Sequence, residues 1–166
     1  MPTYKLISSV TVGSGGAANI DFTSIPATYT DLCVKISARG TTTVGSGGHY
    51  YSIALNNSTS NRSQRFLQGN GSAASSGNST TFTSYMDPSD YTASTFANNE
   101  IYIPNYAGSN NKSMSVDVVT ENNATASYAA FYAQLWSDTS AINRITLTPN
   151  AGNFAQYTTA YLYGIS

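Results

Sequence analysis

Apolar residues recur at every second position from one end of this chain to the other, and that pattern leaves little choice of backbone. In "DLCVKIS" Leu32, Val34 and Ile36 share one parity while Cys33, Lys35 and Ser37 share the other. Successive side chains of a strand point to opposite faces, so this is a half-buried strand. The same reading fits Leu6, Val10 and Val12, then Ile20 and Phe22, and then Tyr51, Ile53 and Leu55. It continues through Ile101 and Ile103, then Met114, Val116 and Val118, and ends with Ile145 and Leu147. Two runs, "SYAAFYAQLW" and "QYTTAYLYGIS", are apolar or aromatic on both parities. Such strands belong inside a sheet or against a neighbouring subunit.

Turn formers separate the runs: "GSGG" at 13–16 and again at 45–48, "GNGSAASSGNS" at 69–79, "AGSNN" at 107–111 and "NAGN" at 150–153. Glycine reaches positive φ without a Cβ clash, and asparagine tolerates that region better than most residues. The flanks of the two "GSGG" segments diverge at once, which argues against an internal repeat. Helix is scarce: "SDTSAINR" offers one capped turn and "DPSDYTASTF" another around Pro88. The stretch 56–80, rich in Gly, Ser and Asn, reads as an exposed loop or as a segment ordered by a partner. Roughly eight to eleven short strands without alternating helices indicate an all-β fold, a single-domain antiparallel β-sandwich of jelly-roll type spanning 1–166. In "FTSIPATYTDL", Pro26 fixes φ and removes a donor where pairing stops, so the connection carries the chain from one sheet to the other.

Charge narrows the function. Charged residues are 9% of the chain, and Lys+Arg 7 nearly cancels Asp+Glu 8. The seven cations are scattered, with Arg62 and Arg65 the one close pair, so no basic stripe exists to displace counterions from nucleic acid. Polarity comes instead from Ser, Thr and Asn, more than a third of the residues. The start "MPTYKLISSV" lacks the basic, then apolar, pattern of a secretory signal, and no apolar run reaches the ~18 residues of a membrane helix. A soluble chain that does not use that export route is expected, with no membrane partner. The Asn-X-Ser/Thr triplets at Asn57, Asn61, Asn70, Asn78, Asn111 and Asn123 are what so Ser- and Asn-rich a chain produces by chance.

Catalytic constellations are thin. His49 is the one histidine, next to "GSGG", and no Ser sits in a G-x-S-x-G elbow, so His49 reads as structural. Cys33 cannot form an internal disulfide, and one Cys with one His cannot complete a zinc site. Cys33 shares a face with Lys35, which would favour a thiolate, but a small buried residue is the better reading. Asp87, Asp90, Asp117, Glu121 and Asp138 are oxygen donors without a calcium-loop spacing, and they read as turn and cap residues. Neither a facing carboxylate pair nor a phosphate loop is indicated. No enzyme, metal or cofactor is expected.

The 13 Tyr remain. Tyrosine gives large contact area at little rotamer cost, which suits protein interfaces and sugar faces. Parity and loop placement single out Tyr50, Tyr91, Tyr102, Tyr106, Tyr128, Tyr132 and Tyr157. The two doubly apolar runs add Phe131, Trp136, Tyr161 and Tyr163. Tyr128, Phe131, Tyr132, Trp136, Tyr157, Tyr161 and Tyr163 are the principal interface candidates.

The opening "LISSVTVGSGGAANIDFTSIPATYTDLCVKISARG", with the chain end "TTAYLYGIS", resembles a group of small tailed-bacteriophage virion proteins. Gly16, Ile20, Phe22, Ile25, Pro26, Tyr29, Asp31, Leu32 and Arg39 carry the likeness, which covers the first quarter and the last strand. The resemblance implies a structural virion component, such as a head decoration or cement protein or a tail-associated one. A decoration protein on the capsid surface is the leading expectation: a homotrimer that clamps the major capsid protein, with Tyr and Phe of the two aromatic runs buried by threefold contact. The second expectation is a host-recognition module on a tail or head fibre that reads a host-surface glycan. A glycan-degrading enzyme comes third, for want of histidines and acids.

Overall fold

The computed structural model describes residues 1–45, 48–123 and 127–166. Two residues of the second "GSGG" and two of the Asn123 triplet lie outside them. In chain order the strands are β1 (Tyr4–Thr11), β2 (Ile20–Phe22), β3 (Asp31–Ala38), β4 (His49–Leu55), β5 (Arg62–Gly69) and β6 (Ala74–Ser79). They continue as β7 (Thr83–Met86), β8 (Ala97–Ile103), β9 (Lys112–Val119), β10 (Ala129–Trp136), β11 (Ile145–Pro149) and β12 (Thr159–Ile165). All pair antiparallel, in an eight-stranded sheet ordered β1-β12-β3-β8-β9-β10-β5-β6 and a four-stranded sheet ordered β2-β11-β4-β7. The fold is an all-β sandwich.

Its topology separates into a frame and an addition. Setting aside β5–β6 and β9–β10 leaves β1-β12-β3-β8 opposite β2-β11-β4-β7, and the chain changes sheet at every step but β4 to β7. That is jelly-roll connectivity. The two extra hairpins meet each other, β10 beside β5, and lengthen one sheet by four strands that the short sheet does not match.

The core follows the alternation. Leu32, Val34, Ile36, Ile101, Ile103, Met114, Val116 and Val118 point inward from the long sheet and Ile20, Phe22, Tyr51, Ile53, Leu55, Ile145 and Leu147 from the short one, all in one buried cluster. The chain leaves the short sheet at Phe22 and enters the long one at Asp31, so the Pro26 connection is the sheet crossing. Parity fails in β1, where register shifts between Leu6 and Ser8: Leu6 is exposed while Val12 is buried. A bulge of this kind flips the faces beyond it.

Three sequence expectations are corrected. Among the described residues there is no helix. "DPSDYTASTF" instead wraps Arg39, whose guanidinium donates to the carbonyls of Ser89 (3.0 Å), Tyr91 (3.0 Å), Thr92 (2.9 Å) and Thr95 (2.8 Å). "SDTSAINR" is drawn out by bonds from Ile142 N to Tyr106 O and from Ile25 N to Asn143 O. The stretch 56–80 is neither loop nor unordered, because it contains the β5–β6 hairpin. Twelve strands among the described residues also exceed the expected number.

The residues that carry the virion-protein likeness hold the frame together. Gly16 sits at φ 70, where a Cβ would meet Phe154 O at 2.9 Å. Tyr29 lies against Gly164, whose added Cβ would be 2.2 Å from the ring. The opening segment and the terminal "YGI" are therefore one packing unit. Asp31 accepts from Tyr102 Oη at 2.6 Å and from Asn105 N at 2.8 Å. Asparagine abundance also has a backbone use: of eight non-glycine residues at positive φ among those described, five are Asn.

Candidate interaction surface

The outward face of the long sheet is where apolar side chains meet solvent. Register fixes what lies beside what: Leu67 pairs with Phe131, Phe131 with Asp117, Asp117 with Glu100, Glu100 with Lys35 and Lys35 with Tyr161. Directly opposed residues share a face, so these six form one row across the sheet. At one end Leu67, Val119, Phe131 and Leu135 are exposed, Leu67 by 60% and Phe131 by 47%. At the other end Tyr4, Leu6 and Tyr161 are exposed and Tyr163 is half-buried. The Tyr4 and Tyr163 rings meet edge-on at 6.0 Å and those of Tyr161 and Tyr163 stack at 6.4 Å. Four strand spacings, about 19 Å, separate Tyr161 from Phe131.

Between the two patches runs a charged band. Lys35 Nζ lies 2.9 Å from Glu100 Oε2, with both side chains well exposed, and Asp117 stands beside Glu100. Glu100 holds the Lys35 ammonium above its ordinary pKa. An exposed pair of this kind adds little stability. Its effect is to divide the face. A shallow trough of about 740 Å³ runs over the extension, lined by Leu67, Val119, Ala129 and Phe131 with Glu100 and Asp117 on its flank.

The sequence candidates divide by face. Phe131, Tyr161 and Tyr163 are on this outward surface. Tyr132 and Trp136, next to them in parity, are core residues at 4% and 2% exposure and belong to no free surface. Both parities of β10 are apolar, so alternation alone does not say which one faces the core. Tyr91 and Tyr106 are likewise buried. Tyr106 donates to Pro26 O and accepts from Tyr29 N at 3.4 Å. Tyr128 stacks on Tyr85 at 4.8 Å, and Tyr157 projects from the loop before β12 at φ 70, 68% exposed. Leu67, Val119 and Leu135 were missed by sequence reasoning. For Leu67 the available signal was the adjacent Phe66 and Leu67, apolar on both parities of "RSQRFLQG", hidden by its Gly/Ser-rich flanks.

The reactive groups are turned to structure. Cys33 is fully buried between its cross-strand partners Tyr102 and Tyr163, and burial pushes the thiol up to about 11, far from a thiolate at neutral pH. His49 is buried with Nε2 3.2 Å from Ala151 O, its ring against Gly40, and burial lowers its pKa. Arg144, just before β11, pairs with Asp21 of β2 at 2.5 Å and holds that carboxyl below its usual range. Lys112, buried, donates to Gly108 O at 2.6 Å and to Asn110 O, closing the loop before β9. Among the described residues, no three of His, Cys, Asp and Glu come together as metal ligands would.

Asp87 is the exception among the acids. It is fully buried, and neither carboxylate oxygen has a hydrogen-bond partner among the described residues. Burial pushes its pKa from 3.8 up to about 6, against smaller downward pulls from the Thr95 hydroxyl and the Arg39 charge. A carboxyl raised in the folded state favours folding fully below about pH 4, and that contribution is lost as pH rises through about 6. Asp87→Asn should therefore stabilise the protein at pH 7 by roughly 1–3 kcal/mol and change little at pH 4. Thermal melts of both proteins across that range check this; equal melting temperatures at pH 7 would refute it.

Comparison with known proteins finds no matching family model, no matching curated relative and no matching solved structure.

Proposed function

We propose that the protein is a non-enzymatic component of a phage virion, a decoration or cement protein that binds the outer surface of the capsid. The two exposed apolar patches on the outward face of the long sheet carry this reading. A protein working alone has no use for Leu67, Val119 and Phe131 side by side in water, with Leu135 further along the same face of β10, whereas a docking face needs an aromatic or aliphatic centre within a polar surround. The likeness of the opening and closing segments to virion proteins supports the same reading. In this account the extension patch meets the major capsid protein. The Tyr4, Leu6 and Tyr161 patch, beside the free edge of β1, meets neighbouring copies, most economically in a trimer.

A density map of the virion that carries this chain tests the proposal. Repeated copies following the head lattice are expected. Density confined to the tail or to fibres would overturn the capsid assignment in favour of adhesion.

A further inference from the structure

The extension creates a second, separate feature on its inward side. Past β9 the long sheet has no opposite strand, so it curls around the free edge of β7 and leaves a cleft of about 360 Å³ between β5–β6 and the β4–β7 pair. That is within the range of small-ligand sites. The cleft lies on the opposite face of β5 from Leu67, with Gln68 bordering both the cleft and the trough.

Its lining combines flat apolar rings with neutral hydrogen-bonding groups. Tyr50 and Tyr85 are cross-strand neighbours on one wall, with Tyr50 41% exposed at the opening. Phe66 faces them from β5, its ring lying over Gly77 of β6, where a Cβ would come within 2.6 Å. Gln68 accepts from Tyr85 Oη at 2.8 Å through its amide oxygen, and its amide nitrogen has no partner among the described residues. Gln64 is 2% exposed and held by Thr83 N at 2.9 Å, Thr83 Oγ1 at 3.1 Å and Gln134 Nε2 at 2.7 Å. Its orientation is thereby set before any ligand arrives. None of the described lining residues carries a charge.

These properties select a ligand. A charged group entering the cleft would lose water and find no counter-ion, which excludes nucleotides, phosphates and acidic sugars. A purely apolar ligand would strand the Gln68 amide nitrogen. A ligand with apolar C–H faces and hydroxyls around its rim satisfies both parts, the rings by stacking and the carboxamides and hydroxyls by hydrogen bonds in either sense.

We propose that this cleft binds one neutral pyranose unit of a glycan, stacked on the exposed Tyr50 ring and hydrogen-bonded by Gln68. The test titrates the intact protein with the methyl glycosides of the common neutral hexoses, 6-deoxyhexoses and N-acetylhexosamines, with glucuronic and sialic acid glycosides alongside, by saturation-transfer and ¹H–¹⁵N NMR. Saturable binding of at least one neutral glycoside is expected, with shifts at the Gln68 side-chain amide. Tyr50→Ala should weaken it at least tenfold, and so should Gln68→Leu, which keeps a side chain of similar size. Ser109→Ala, exposed in the loop before β9, should leave it unchanged. No binding across the neutral set, preference for the acidic glycosides, or binding that survives both cleft variants would overturn the inference.

Discussion

If the protein is the capsid-binding component proposed above, virions assembled with Phe131→Lys and Leu67→Thr together should lose it from their surface while the protein itself stays folded. The two residues are cross-strand partners, both turned to solvent in the free molecule. Substitutions at such positions usually change stability by less than about 0.5 kcal/mol. Threonine suits a strand, and a lysine at 131 would stand beside Asp117, where its charge is compensated in water. Against a capsid the same lysine must be desolvated and the aromatic anchor is gone. Loss of a central anchor costs at least about 2 kcal/mol, and the two changes together should weaken binding a hundredfold or more. Gel densitometry of purified virions reads the occupancy and a thermal melt reads the fold. Full occupancy with the double variant would remove the extension patch from the account.

Arg39→Ala should have the largest effect on stability. The guanidinium occupies the middle of the 88–96 connection and bonds to four of its carbonyls, with a further contact to Thr95 Oγ1 at 3.2 Å. Alanine leaves the carbonyls of Ser89, Tyr91 and Thr95 without this donor, while Thr92 O keeps Thr95 N and Oγ1, and it takes away the positive charge that holds the Asp87 pKa down. Hydrogen bonds to charged groups are worth about 1.5–3 kcal/mol each but are far from additive when shared, so a loss of roughly 2–4 kcal/mol is expected. For a chain of this size that is a fall of about 5–15 °C in melting temperature, with faster amide exchange concentrated in 88–96. Arg39→Lys should recover only part of it, because an ammonium with three donors cannot span the positions of a planar fork with five. A melt of Arg39→Ala within about 2 °C of the parent would show that the connection holds itself.

The same residue shows why some of the structure could be read from sequence and some could not. Strands whose partner face is a core announce themselves, because Leu32, Val34 and Ile36 or Met114, Val116 and Val118 have to alternate. The sheet crossing at Pro26 was legible for a local reason, the missing N–H. The 88–96 segment was not, since its conformation is imposed by a guanidinium about fifty residues earlier in the chain, and locally it looks like a capped turn. β6 was invisible for another cause: "ASSGNS" has no side chain to bury, and it is a strand because β5 offers it a ladder of backbone partners. The interface candidates were half legible. The two-sided apolar character of β10 and β12 marked strands that carry exposed aromatic side chains, but which parity faced water depended on where the short sheet ends.

That division also assigns roles within the molecule. Gly16, Tyr29, Asp31 and Arg39, which carry the resemblance, and Gly164 of the closing "YGI" all serve the eight-strand frame. The apolar trough lies mainly on the four added strands, and the neutral cleft lies between them and the frame strands β4 and β7. A frame of this kind can be kept while the extension is altered, and the extension is where partner choice resides in this account.

The most direct test of the account is the orientation of the long sheet in a side-chain-resolution map of the virion. The prediction is that the outward face of β5, β9 and β10 lies against the shell, with Phe131 and Leu67 out of contact with water and the β5–β6/β7 cleft open to the outside. A map in which that face points to solvent and the short sheet rests on the capsid would contradict it.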